Sequence, residues 1–206
     1  DAYIPASHYL KRHLETELKI NKPILVLPNL MDPEIFKIEK NKPFIQGKIT
    51  IGYTGTPTRK DGVVDLINSF GILNKKYSNI HLLIVGDAIN GNSVIPKLKE
   101  LAIRLECNDN ITFTGLVPFL EIPKLLNSCQ VLTLTRPSGI SAEAGFPTKL
   151  GEYFACKKPV LISNVGDIPM YFNNEEDVII TNPDDINSIV DGFEKILFND
   201  ELSKKI

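Results

Sequence analysis

The residues best suited to chemistry lie in one short segment that runs into a predicted helix. The segment reads Gly145, Phe146, Pro147, Thr148 and Lys149, and the acidic Glu152 follows. The first N–H groups of a helix are unpaired and carry partial positive charge, so this loop suits a phosphate. Glu152, one turn inside the helix, could then accept a hydrogen bond from a sugar hydroxyl. The pattern indicates a nucleotide-sugar site, and its alternative is an ordinary turn between a strand and a helix.

A second loop with charged residues follows the first apolar run of the chain. In it, Gly55 and Gly62 flank Arg59 and Lys60. Glycines let the backbone approach a ligand closely, and two cations could neutralise a diphosphate without a metal ion. The alternative is that the two cations form a solvated helix start beside Asp61.

The elements that must position these loops alternate along the chain. Apolar runs predict strands at Ile49–Thr54, His81–Gly86, Ile111–Thr114, Val131–Thr135, Val160–Ser163 and Val178–Thr181. Helical patterns fall between or after them, at Gly62–Lys76, Val94–Glu106, Leu120–Asn127, Thr148–Cys156 and Ile186–Phe198. Nearly continuous apolar strands are buried on both faces, so we expect an α/β fold with a Rossmann-like, doubly wound parallel sheet. A ligand then binds at the carboxyl ends of the strands.

The N-terminal part has a different pattern. Ser7 can cap a helix that runs to Leu18, and Ile24–Leu27 reads as a short strand. From Asp32 to Lys48 the residues are rich in Lys, Asn, Pro and Gln without strong periodicity, which is typical of a linker.

Composition excludes several functional classes. The 206 residues are 43% hydrophobic and carry a net charge of −2, and no basic block is set off as a nucleic-acid site would be. Apolar runs stop well short of the ~20 residues of a membrane helix. Three cysteines without CxxC spacing predict a reducing compartment and no structural zinc.

Residues 145–161 resemble the donor-binding signature of glycosyltransferases of the glycogen synthase and sucrose synthase type, the group 1 family with the GT-B fold. The segment 111–118 resembles the family's base-contacting strand and loop, which makes Leu116 and Val117 candidates for base contact; apolar packing is the alternative. The resemblance implies the C-terminal, donor-binding domain of a retaining enzyme. Such an enzyme moves a hexose from a nucleoside diphosphate sugar to an acceptor, without a cofactor or metal.

The sequence departs from the family pattern at two places. Thr56 and Pro57 stand where the family has Arg and Leu, and Lys60 is the best match to the family's diphosphate lysine, with its register open by one residue. Eight positions before Glu152, where the family places its first glutamate, the residue is Ala144, and Glu143 lies one place earlier. The resemblance assigns Arg59, Lys60 and Glu143 to catalysis. For Glu143, a solvated loop carboxylate is the alternative.

The resemblance also predicts a division of the chain. Residues 1–36 would end the acceptor domain and cross over, 37–48 would be a linker, and 49–206 would bind the nucleotide sugar. Most of the acceptor domain would be absent, which leaves the acceptor open among sugars, lipid-linked sugars and proteins. We expect a cytoplasmic protein, with peripheral attachment to the inner membrane through the absent domain left open. The other functions considered are a GT-B-fold epimerase or phosphorylase and a nucleotide-binding module without turnover.

Overall fold

A computed structural model of the chain describes residues 1–37, 42–89 and 91–206. Its centre is a six-stranded sheet in which every pairing is parallel. The strands are β1 (Ile49–Thr54), β2 (Ile80–Val85), β3 (Ile111–Phe113), β4 (Val131–Leu134), β5 (Val160–Ser163) and β6 (Ile179–Thr181). Their order in the sheet is β3-β2-β1-β4-β5-β6. Strands β2 and β3 are therefore added on one side of β1, and β4 to β6 on the other. Doubly wound folds bind their ligands at this switch in strand order, between β1 and β4.

Helices connect and cover the strands. They are α1 (His8–Thr16), α2 (Val63–Lys76), α3 (Ile95–Arg104), α4 (Ile122–Ser128), α5 (Ile140–Ala144), α6 (Lys149–Ala155), α7 (Ile168–Tyr171), α8 (Ile186–Phe198) and α9 (Asp200–Lys205). α2 packs against α3 and α8, whereas α4 and α6 pack against a short 3₁₀ turn at Pro33–Phe36. The sheet thus lies between two helical layers, as the strand pattern predicts.

The core forms because the strands carry apolar side chains on both faces. All six residues of β2 and all four residues of β4 and of β5 are buried. The largest fully buried side chains are aromatic and include Tyr53, Phe70, Tyr153 and Phe193. Two of these four, Tyr53 and Tyr153, bring hydroxyl groups into the interior, where a buried hydroxyl requires a partner.

The N-terminal part differs from its prediction in one respect. Ser7 caps α1 as expected, since its Oγ accepts a hydrogen bond from the Leu10 N–H at 3.2 Å. The strand predicted at Ile24–Leu27 is wrong: this segment forms a single parallel bridge, between Ile24 and Tyr3. The Leu27 N–H still donates to the Pro5 carbonyl at 3.0 Å, but Pro5 has no N–H with which to continue the ladder. Residues 38–41 of the predicted linker lie outside the described residues.

Candidate functional site

An apolar cleft of about 250 Å³ opens where β1, β2 and β3 end. Its lining includes Gly55 and Thr56 after β1, Gly86 after β2, and Leu116 and Val117 after β3. Leu116 is 59% exposed, although it follows a strand of the core. The structure therefore brings three of the sequence-predicted residues, Gly55, Leu116 and Val117, to one cleft.

A buried cluster of charges lies beside this cleft. Asp61, at the end of a 3₁₀ turn before α2, is 2% exposed. One of its oxygens, Oδ2, accepts a hydrogen bond from the Tyr53 hydroxyl at 2.7 Å and another from Lys149 Nζ. The Lys149 ammonium also stands 5.0 Å from the centre of the Tyr53 ring, which is a cation–π contact. Lys149 therefore points inward from α6 to the turn that follows β1.

Arg136 is the second cation of the cluster. It lies two residues after the end of the buried strand β4, and its Nε is 3.8 Å from Oδ1 of Asp61. Its Nη1 donates a hydrogen bond to the carbonyl of Gly145 at 3.2 Å, at the start of the predicted phosphate loop. The buried Nε has no hydrogen-bond partner among the described residues. Arg136 thus connects Asp61 with the loop that precedes α6.

Gly55 is adjacent to this cluster. Its φ is +127°, and a Cβ built on it would lie 2.3 Å from Lys149 Cε and 2.5 Å from Lys149 Nζ. Any larger residue would collide with the lysine side chain. The lack of a side chain at Gly55 therefore makes room for the Lys149 ammonium at the edge of the cleft.

The predicted phosphate loop lies next to the same cluster. The Phe146 carbonyl accepts a hydrogen bond from the Asn29 side-chain amide at 2.7 Å, and the Phe146 ring packs edge-on against Tyr171. Pro147 is buried and Thr148 is exposed. The N–H groups of Phe146, Thr148 and Lys149 donate to no acceptor among the described residues. These donors remain available to an anion.

Arg59 and Lys60 are placed differently from Lys149. Both are exposed, and they line a separate cleft of about 370 Å³ together with residues 137–142. The lining residues 137–142 follow Arg136 in the sequence. Arg59 and Lys60 are therefore the exposed cations, at the second cleft. Arg136 is buried beside Asp61, and Lys149 is partly buried there.

The two predicted carboxylates lie in unlike surroundings. Glu143, in α5, accepts a hydrogen bond from the Gly166 N–H at 3.3 Å, so it is tied to the loop after β5. The side-chain carboxylate of Glu152, in α6, makes no hydrogen bond to a described residue. Burial raises the pKa of Glu152, and the nearby Lys149 opposes that rise. A half-buried carboxylate with free acceptors can receive hydroxyl donors from a ligand.

The described ranges hold neither a metal-binding cluster nor a membrane-spanning helix. No group of three or more His, Cys, Asp and Glu side chains there is arranged to hold a metal ion. None of the helices in those ranges is long and apolar enough to cross a bilayer.

Sequence reasoning missed Arg136, Asp61 and Tyr53 as parts of the site. The sequence shows Asp61 only as the neighbour of two cations, because 88 positions separate it from its partner Lys149. One signal was available for Arg136, because it is a cation placed directly at the carboxyl end of a buried strand, where doubly wound sheets bind ligands.

Comparison with known proteins decides the family. The sequence model for glycosyl transferases group 1 matches residues 34–206. The chain belongs to this family. The capsular polysaccharide biosynthesis glycosyltransferase CapM of Staphylococcus aureus is 26% identical in an alignment of 181 residues that covers 84% of this chain and 44% of CapM. The chain thus spans a little under half the length of this relative.

Solved group 1 and related structures share the fold. Alr3699/HepE of Anabaena, in complex with UDP and glucose, superposes with a TM-score of 0.81 at 16% identity, over 98% of this chain and 55% of that chain. The C-terminal domain of the group 1 protein LpcC of Francisella tularensis gives a TM-score of 0.74 at 20% identity, over 86% of this chain and 92% of that chain. These likenesses bear out the Rossmann-like, GT-B type of fold predicted from the strand pattern.

Proposed function

We propose that this chain is the donor-binding, C-terminal half of a glycosyltransferase that moves a sugar from a nucleoside diphosphate sugar to an acceptor, with retention of anomeric configuration. Family membership supports the reaction class, and the Anabaena relative is a structure with UDP and glucose. The likeness to a C-terminal domain of the same family supports the placement. Residues 1–36 would then end the acceptor domain, with 37–48 as a linker and 49–206 as the donor domain.

One observation carries the proposal. The partly buried Lys149 ammonium reaches the edge of an apolar cleft that opens at the carboxyl ends of three parallel strands. An apolar cleft suits a nucleobase, and a fixed cation next to it suits the phosphates that follow. The free N–H groups between Phe146 and Lys149 add donors for the same anion.

Each predicted residue has a role in this proposal. Leu116 and Val117 contact the base, and Glu152 accepts from the ribose. Gly55, Gly145, Phe146, Pro147, Thr148 and Lys149 surround the diphosphate, with Arg59 and Lys60 at its rim. Glu143, held by Gly166, faces the sugar. The leaving diphosphate gains charge in the transition state, so fixed cations and N–H donors lower the barrier.

Calorimetric titration of the 206-residue chain with UDP, GDP and ADP tests this proposal. We expect one of them to bind with a Kd on the order of micromolar, and its bare nucleoside to bind much more weakly, because the cations contact only the phosphates. A higher salt concentration should weaken binding of the diphosphate more than binding of the nucleoside. Absence of binding by all three would contradict the proposal.

A nucleotide-binding module without turnover is the second candidate. The replacement of the family's Arg and Leu by Thr56 and Pro57, and of its first glutamate by Ala144, favours it. The two candidates differ in chemistry and not in binding. Hydrolysis or transfer of a bound donor sugar, followed by mass spectrometry, separates them.

A further inference from the structure

Asp61 is a carboxylate that the fold buries at a cost. Its side chain is 3% exposed, and an ionised carboxylate away from water is unfavourable unless it is paired and hydrogen-bonded. Its partners are the Tyr53 hydroxyl, the Lys149 ammonium and the Arg136 guanidinium. One carboxylate is therefore shared by two cations, which it cannot neutralise together.

The two cations come from different parts of the chain and meet at Asp61. Lys149 is the first residue of α6, and Arg136 follows β4. The Tyr53 ring lies under Lys149, and the Gly145 carbonyl holds Nη1 of Arg136. With Asp61 between them, both side chains are fixed in direction as well as in place. Nη2 of Arg136 makes no hydrogen bond to a described residue, so it retains donors for a ligand.

We propose that Asp61 is a positioning residue for the donor diphosphate, which it serves by holding Lys149 and Arg136 beside the Gly55 loop. The inference rests on the proposed donor-binding function. It adds Arg136 to the groups that contact the diphosphate. It also means that a carboxylate, Asp61, favours binding of an anion by holding the two cations in place.

The charge state of Lys149 gives independent support. Burial lowers the pKa of this lysine, and the contact with Asp61 opposes that fall. Without the carboxylate, the buried amine would hold its proton less firmly and the side chain would lose its anchor. Asp61 therefore favours the charged form of the lysine and holds its side chain at the cleft.

The sign of the effect of Asp61→Asn distinguishes positioning from simple charge. The amide keeps the shape and can still accept from Tyr53, but it makes the site more positive by one charge. Electrostatics alone then predicts tighter binding of an anion. The positioning role predicts weaker binding, by on the order of tenfold to a hundredfold. This loss should apply both to inorganic pyrophosphate and to whichever of UDP, GDP and ADP binds the parent best. The nucleoside should bind as it does to the parent.

Lys149→Met and the Asp61→Asn/Lys149→Met double variant complete the test. If Asp61 acts through the lysine, the loss of diphosphate affinity in the double variant should be much smaller than the product of the losses in the two single variants. If Asp61→Asn alone does not fold, the double variant, which removes the pair together, is compared with Lys149→Met alone, and the two should bind the diphosphates with similar affinity if Asp61 acts through the lysine. Glu175→Gln and Lys195→Met, which disrupt an exposed ion pair on the surface, are the matched controls and should leave affinity unchanged.

The outcomes separate the two levels of the argument. Failure of the parent to bind any of the nucleoside diphosphates or pyrophosphate would overturn the donor function and this inference with it. Binding by the parent, together with unchanged or tighter binding by Asp61→Asn, would overturn the inference alone. Single losses that multiply in the double variant would also overturn it, because Asp61 and Lys149 would then act independently.

Discussion

At the scale of single residues, burial decides what each charged group can do. Lys149 and Glu152 both belong to α6, yet the Lys149 ammonium is bound to a buried carboxylate whereas the Glu152 carboxylate has no hydrogen bond within the described part of the chain. A paired cation is held in place before a ligand arrives. A half-buried carboxylate without donors gains more from a ligand hydroxyl than a solvated one does, because water competes less.

We therefore expect Glu152→Ala to weaken binding of the preferred nucleoside diphosphate by about 1.5–3 kcal/mol, the cost of losing a charge-assisted hydrogen bond to ribose. Isothermal titration calorimetry measures the change. Glu152→Gln should lie between the parent and Ala, since the amide oxygen still accepts but carries no charge. Thermal unfolding of both variants should stay close to that of the parent. Affinities equal to the parent's in both variants would remove Glu152 from the site.

At the scale of elements, the sequence predicted what depends on local pattern. All six strands of the sheet were predicted from their apolar runs, which are buried throughout in β2, β4 and β5, and the long helices α2 and α8 were predicted from their periodicity. The helices α5 and α7 were missed because five and four residues are too few to show a period. The Asp61 cluster was missed because its members meet only through the sheet order, which places β1 next to β4.

The junction between β1 and α2 offers a test of that packing. Gly62 has φ +68°, and a Cβ there would lie 1.6 Å from the carbonyl oxygen of Thr135, at the end of β4. Thr135 also donates its hydroxyl to the Gly62 carbonyl at 2.9 Å. We expect Gly62→Ala to lower the free energy of unfolding by roughly 3 kcal/mol, since backbone strain and overpacking add. Denaturant unfolding measures it.

Gly115 is the matched control for Gly62. Its φ is +67°, nearly the same, but a Cβ there would meet nothing within 4 Å. Gly115→Ala should therefore cost only the strain of a left-handed backbone, roughly 1–2 kcal/mol. Equal losses in the two variants would mean that the contact between Gly62 and Thr135 is not tight. Because Gly62 adjoins Asp61, Gly62→Ala should also weaken diphosphate binding.

At the scale of the whole molecule, the size of the relatives matters. The chain covers 44% of CapM and 55% of the Anabaena enzyme structure. Under the proposed function, the cleft after β1, β2 and β3 and the charge cluster beside it would hold one substrate, the donor. A transferase must also hold an acceptor against that donor. We propose that the acceptor site belongs to a further domain.

The 206-residue chain by itself should accordingly bind a nucleotide sugar without transferring the sugar to an acceptor. Orienting two reactants against each other is worth up to about 7–11 kcal/mol of barrier, and a site for one substrate cannot supply it. Mass spectrometry of the chain with donor and candidate acceptors should detect at most slow hydrolysis of the donor. A chain extended by the acceptor domain should regain transfer, and the same extended chain with Lys149→Met should lose it again. Efficient, acceptor-dependent glycosylation by residues 1–206 alone would place the acceptor site within this half and overturn the division proposed for the chain.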